Sequence, residues 1–165
     1  MTPKIITLNE VVKLMDLFQT NHDQLNDFGF GNTWDIGTSR QMLFPYMWAT
    51  VQPSTFNLNA NKSQIPDLNF TILFVDKLND NENLDNVNGE DSNNGQEIMS
   101  DCLQYVQDFI TYVLSEWGKY GVAIVDSPTI TPVWDETTDK VNGWALDIAL
   151  RLKHYNCLLP FTYIS

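Results

Sequence analysis

"TPVWDETTDKVNGWALDIALRL", residues 131–152, holds the pattern that sets the architecture of the chain. Trp144, Leu146, Ile148, Leu150 and Leu152 fall on one side, and Ala145, Asp147, Ala149 and Arg151 on the other. This period of two is the signature of a half-buried strand. Trp134 precedes it across a polar tip, so the stretch reads as a β-hairpin. Asn142-Gly143 invites a two-residue turn, but that register would set Asp139, Thr137 and Asp135 opposite Leu146, Ile148 and Leu150. Pairing Trp134 with Trp144, Pro132 with Leu146 and Ile130 with Ile148 keeps apolar against apolar and leaves 135–143 as a long acidic tip. Pro132 has no N–H to give a ladder, which puts strand 129–134 at an edge or on a bulge.

Working outward, the best helix lies just upstream. From about Gln96 to Trp117, Ile98, Met99, Cys102, Leu103, Val106, Phe109, Ile110, Val113, Leu114 and Trp117 form one stripe at helical spacing, and Gly118 and Gly121 let the chain stop and turn. Thr7-Leu8-Asn9-Glu10 has the capping-box form, predicting a first helix that runs to about residue 22 with Val11, Leu14, Met15 and Phe18 inward. Two apolar runs, residues 41–52 and 69–78, read as strands covered on both faces, with Pro45 marking a bulge or an edge. The intervening "PSTFNLNANKSQIPD" reads as a loop or a weak hairpin extension, and "DFGFGNTWDIG", residues 27–37, as irregular strand or loop. Residues 79–95 are polar and asparagine-rich, a long surface loop. The expected fold is α+β: an antiparallel sheet packed on a long amphipathic helix and an N-terminal helix, closed by a C-terminal hairpin. A chain of 165 residues supports one such core, so 1–165 reads as a single domain.

The net charge is −12 with nine lysines and arginines in all, which argues against a protein that grips phosphates. Between residues 78 and 118 there are nine acids and no base, so part of the surface must be strongly negative. No apolar run reaches the roughly 20 residues of a membrane-spanning helix, and nothing at the start resembles a secretion signal; the reading is a cytosolic product.

Catalytic chemistry has few candidates. His22 and His154 are the imidazoles, one at the end of the first helix and one beyond the last strand, and both read as surface or interface residues. Cys102 and Cys157 lack the paired ligands of a zinc site and read as buried thiols. Asp85-Asn86-Val87-Asn88-Gly89 puts Val87 at a ligand position of a calcium loop and lacks the following glutamate; Asp135-Glu136 lacks a partner lysine and a fixed third ligand. No metal, cofactor or enzymatic activity is expected. Trp34 and Trp48, with neighbouring tyrosines, could instead form the stacking platform of a monomeric carbohydrate- or ligand-binding module.

The order of elements, and above all Trp134-Asp135, Asp139, Asn142-Gly143-Trp144, Asp147-Ile148 and Asn156-Cys157-Leu158-Leu159-Pro160, resembles the tail-terminator-like and head–tail connector proteins that form neck rings in tailed bacteriophages. The asparagine-rich composition is similar to that of phages of AT-rich hosts such as Bacteroides, the crAss-like group. The resemblance implies a structural virion protein in a six- or twelve-fold ring of itself, joined to adjoining portal, neck or tail proteins. DNA would pass through the channel without specific binding, and no membrane would be involved. The expected interface residues are Trp48, Pro132, Trp134, Asp135, Asp139, Asn142, Gly143 and Trp144. Asp80, Glu82, Asp85, Glu90 and Asp91 are expected to line the channel as a wall that repels phosphate.

Overall fold

A computed structural model describes residues 7–32, 35–36, 42–58, 64–78, 95–135 and 140–152, with side chains for all of these except 55–58, 64–66 and 135. Two helices, α1 (Leu8–Asn21) and α2 (Gly95–Glu116), lie against six strands: β1 (Asp27–Phe30), β2 (Tyr46–Leu58), β3 (Gln64–Lys77), β4 (Val122–Ile124), β5 (Thr129–Asp135) and β6 (Val141–Leu152). The strands form one sheet in the order β1-β2-β3-β6, after which β4 and β5 share the far edge of β6. β1 runs parallel to β2 and every other pairing is antiparallel. The fold is the α+β arrangement expected.

Each element forms for a local reason. α1 opens on the expected capping box: the Glu10 N–H donates to Thr7 Oγ1 at 3.3 Å and the Thr7 N–H to Glu10 Oε2 at 3.0 Å. α2 passes into a short 3-10 turn, Trp117–Tyr120, ended by Gly121 at φ 79°, a left-handed conformation that glycine adopts without a Cβ penalty. β2 and β3 pair as far as Leu58 and Gln64, so the hairpin extension holds and the loop reading of that segment is corrected. The pairing survives a register shift between Gln52 and Thr55 because Asn69 stitches across it: its side chain donates to Pro53 O at 2.7 Å and its N–H to Ser54 Oγ at 3.1 Å.

The main core lies between the helices and one face of the sheet. Val11, Met15 and Phe18 of α1 and Cys102, Val106, Phe109 and Val113 of α2 close on Met47, Phe70, Ile72, Phe74, Leu146, Ile148, Leu150 and Leu152. The greasy side of β6 therefore faces the helices, as its alternation required. On the opposite face Tyr46, Trp48, Met42, Val75 and Val141 form a smaller cluster, with Ile36, Phe44, Leu73 and Val133 packed on it. The rest of that face is polar, with Thr71 and Asp147 joined by a hydrogen bond of 2.5 Å. At its margin Arg151 makes a two-pronged ion pair with the buried Asp67, at 2.8 Å on each prong.

The hairpin register differs from the expected one by two residues. Pro132 lies opposite Trp144, Ile130 opposite Leu146 and Trp134 opposite Asn142, so the tip is 136–140 rather than 135–143. A shift of two preserves which face each side chain occupies, so alternation cannot choose between the registers. Packing does: this one sets Val133 opposite Gly143, into the second cluster with Tyr46 and Trp48, and shortens the loop.

Candidate functional site

Among the described strands β5 pairs only with β6, so its other side is an edge of the sheet. The direction of its backbone groups follows from β6. The Val125 N–H donates to Ala149 O at 2.9 Å, so the odd-numbered residues of β6 turn their polar backbone toward the β4–β5 side. The unbroken register carries that parity to Asp147, Ala145, Gly143 and Val141, which bond Thr129, Thr131, Val133 and Asp135. Ile130, Pro132 and Trp134 therefore turn their backbone groups away from β6.

The same three residues carry an apolar stripe along the edge. Trp134 is 64% exposed and Ile130 42%, and Pro132 is exposed between them. Pro132 sits where the missing N–H faces outward, so it costs no bond to β6 and leaves the edge with only a carbonyl at its centre. An edge strand with unpaired backbone and a bulky aromatic in water is a template for another strand.

The remaining expected interface residues are placed differently. Trp48 is 5% exposed, within the second cluster, so it is neither an outward contact nor part of a stacking platform. Trp144 is half-buried beneath α2, its indole N–H donating to Met99 O at 2.8 Å, which ties the sheet to the helix. Asn142 and Gly143 are buried, and a Cβ on Gly143 would run into the carbonyl of Phe74. These four pack within the fold rather than on its outer surface, whereas Pro132 and Trp134 lie exposed on the outer side of β5. Asp135 belongs to β5 by its backbone, while Asp139, Trp34, the acids Asp80, Glu82, Asp85, Glu90 and Asp91, and His154 and Cys157 lie outside the described residues. Of the acids in α2, Glu97 and Asp101 are exposed and Asp108 and Glu116 half-buried.

A second arrangement, which the sequence did not signal, surrounds His22. Far from fraying into solvent, its side chain is 11% exposed and packed between Phe18 and Tyr105. Nδ1 accepts from the N–H groups of Gln24 and Leu25, each at 3.3 Å, which leaves the proton on Nε2, 3.4 Å from Asp108 Oδ2. Asp108 is held in turn by Gln104 Nε2 at 2.8 Å. A groove of about 320 Å³ runs past this pair, lined by Phe18, Asn21, Thr111, Tyr112 and Ser115. Both ring nitrogens are engaged, and the Thr111 and Ser115 hydroxyls donate to the carbonyls of Gln107 and Tyr112. His22 is a clip that fastens the end of α1 to α2.

The Cys102 thiol faces the main core, where burial, with Asp76 and Asp101 adding, pushes its pKa up to about 12; a thiol so held is inert rather than nucleophilic. Burial likewise raises Asp76 above the ordinary carboxylate range, against the Lys77 N–H that it accepts. Among the described residues no three His, Cys, Asp or Glu side chains converge as a metal site, and no helix is long and apolar enough to cross a membrane. The chain matches no protein-family model and has no significant match among curated proteins.

Proposed function

We propose that the chain is a structural subunit that assembles with copies of itself into a ring at the head–tail junction of a tailed phage, joining adjacent layers around the DNA channel. The observation that carries the reading is the edge of β5, where outward backbone groups coincide with the exposed Ile130, Pro132 and Trp134. A lone subunit leaves that stripe in water; a neighbour that covers it gains both ladder bonds and apolar burial. Rings close through contacts in which two different patches meet, and a single strand edge supplies one such patch. The phage assignment comes from the resemblance of the 134–160 motif to neck and tail-completion proteins. In that setting the acids between residues 78 and 118, repeated around the ring, form a wall along which DNA slides.

Light scattering on the purified chain tests the reading. The expected species is a six- or twelve-fold multiple of the 18.9 kDa subunit, ring-shaped in negatively stained images. A single-copy mass at every concentration up to the millimolar range overturns it. A carbohydrate-binding module predicts that single-copy mass together with a rise in melting temperature on adding glycan.

A further inference from the structure

We propose that the occupant of the β5 edge is the stretch following β6 in a second copy of this chain, residues 153–165, added there as an extra strand; this rests on the ring reading above. The stretch reads KHYNCLLPFTYIS, with Tyr155, Phe161, Thr162, Tyr163 and Ile164 supplying the aromatic and β-branched residues that favour strands and Leu158 and Leu159 adding apolar surface. Its charge is complementary to the edge. The stretch carries Lys153 and no acid, whereas Asp135 ends β5 and the tip after it carries Glu136 and Asp139 against Lys140.

Three features favour this partner over others. Two β5 edges pairing with each other about their centre would place Pro132 opposite Pro132 and lose both central N–H donors at one point; the stretch 153–165 has its own Pro160, but its register can set that proline away from Pro132. The stretch also leaves β6 at Leu152, opposite Val122, at the far end of the same edge from Asp135. Donor and acceptor are thus separate patches of one subunit, as a closed ring requires. Finally, to fold back on its own β5 the stretch must pass five residue rises, roughly 17 Å, from the level of Leu152 to that of Asp147 opposite Thr129. With the reversal, that consumes about half of the stretch before it meets β5.

Mixing two disabled full-length variants tests the proposal. Ile130→Lys blocks the edge and keeps the following stretch; Leu159→Asp with Phe161→Asp blocks the stretch and keeps the edge. Ile130 belongs to neither core cluster, and Trp134→Glu repeats the edge block at a second such residue. The wild-type chain is expected to assemble, each variant alone to sediment as one copy with unchanged circular dichroism, and the equimolar mixture to give two-copy particles and nothing larger. If the Leu159→Asp, Phe161→Asp variant assembles as the wild type does, the proposed occupant is wrong and the ring survives. If both variants are single copies that do not combine when mixed, the head-to-tail pairing is wrong. A wild-type chain that is itself a single copy removes the ring reading and this inference with it.

Discussion

Replacing Phe109 with alanine probes whether α1, α2 and the sheet share one cooperative core. Its ring is fully buried and meets three aromatic partners from three parts of the fold: Phe18 of α1 edge-on at 5.2 Å, Trp117 edge-on at 5.7 Å and Phe74 of β3 at 5.8 Å. Truncation to alanine removes roughly 150 Å² of buried apolar surface, about 4 kcal/mol at 25 cal/mol per Å². The cavity and the lost ring pairs add to this, while the partial compactness of the unfolded chain subtracts. The expected cost is about 3–5 kcal/mol for Phe109→Ala, and about 1–2 kcal/mol for Phe109→Leu, which keeps most of the volume. Urea unfolding, followed by circular dichroism and tryptophan fluorescence, measures both. A cost under about 1.5 kcal/mol for the alanine variant, or equal costs for the two, refutes the packing argument. Ile130→Lys in the same assay should move stability by less than about 0.5 kcal/mol, since Ile130 is partly exposed and belongs to neither core cluster.

Gly143→Ala should lower stability by about 1–3 kcal/mol, because the new methyl meets the Phe74 carbonyl across the β3–β6 ladder; an unchanged melting temperature contradicts that packing. Asp76 has a folded pKa above its unfolded one, so the folded chain binds the extra proton and stability falls as pH rises through that window. Asp76→Asn, which keeps an acceptor for the Lys77 N–H, should therefore melt higher than the wild type at pH 7 and level with it below the ordinary carboxylate range. A variant less stable at pH 7 reverses the sign and sinks the account. With Cys157 changed to serine, the Cys102 thiol should resist a thiol reagent at pH 8 until the chain is unfolded; rapid labelling of the native protein shows that it is not held in the core.

Most of the fold is legible in the sequence because periodicity reports burial. The helical stripe of α2, the capping box at Thr7 and the alternation of Trp144 to Leu152 are each found in the structure, and the two apolar patterns name the face that packs, with the exception of Leu114, expected in the stripe and 68% exposed. Three things are not legible. Register within one parity is invisible to alternation, which is why Trp134 stands opposite Asn142 and not Trp144. A tryptophan also says nothing about which side of a boundary it occupies: Trp48 fills a pocket whose fit requires the absence of a side chain at Gly29, Trp144 reaches a helix carbonyl, and Trp134 alone of these three stands in water. The polar continuation of β2 and β3 to Leu58 and Gln64 lacks apolar spacing altogether and depends on the Asn69 bonds across the register shift. His22 had no pattern to announce it, because a clip needs only one residue at one place.

The two edges of the sheet explain why the candidate site lies at β5. At the other edge β1 is four residues long, and the Asp27 carboxylate there accepts the N–H groups of Phe28 and Leu43, so the chain supplies its own partners. β5 is seven residues long and shows no such closure among the described residues; Pro132 blunts only its centre. Sheets protect exposed edges with charge, shortness or cover, whereas this edge presents Ile130 and Trp134 to solvent. The main core lies against the helix-facing side of the sheet and is complete without these two side chains. Leaving a tryptophan outside a core that does not need it is costly for an isolated subunit and favourable for one that is covered by its neighbour, and that asymmetry is what the β5 edge would contribute to the assembly proposed above.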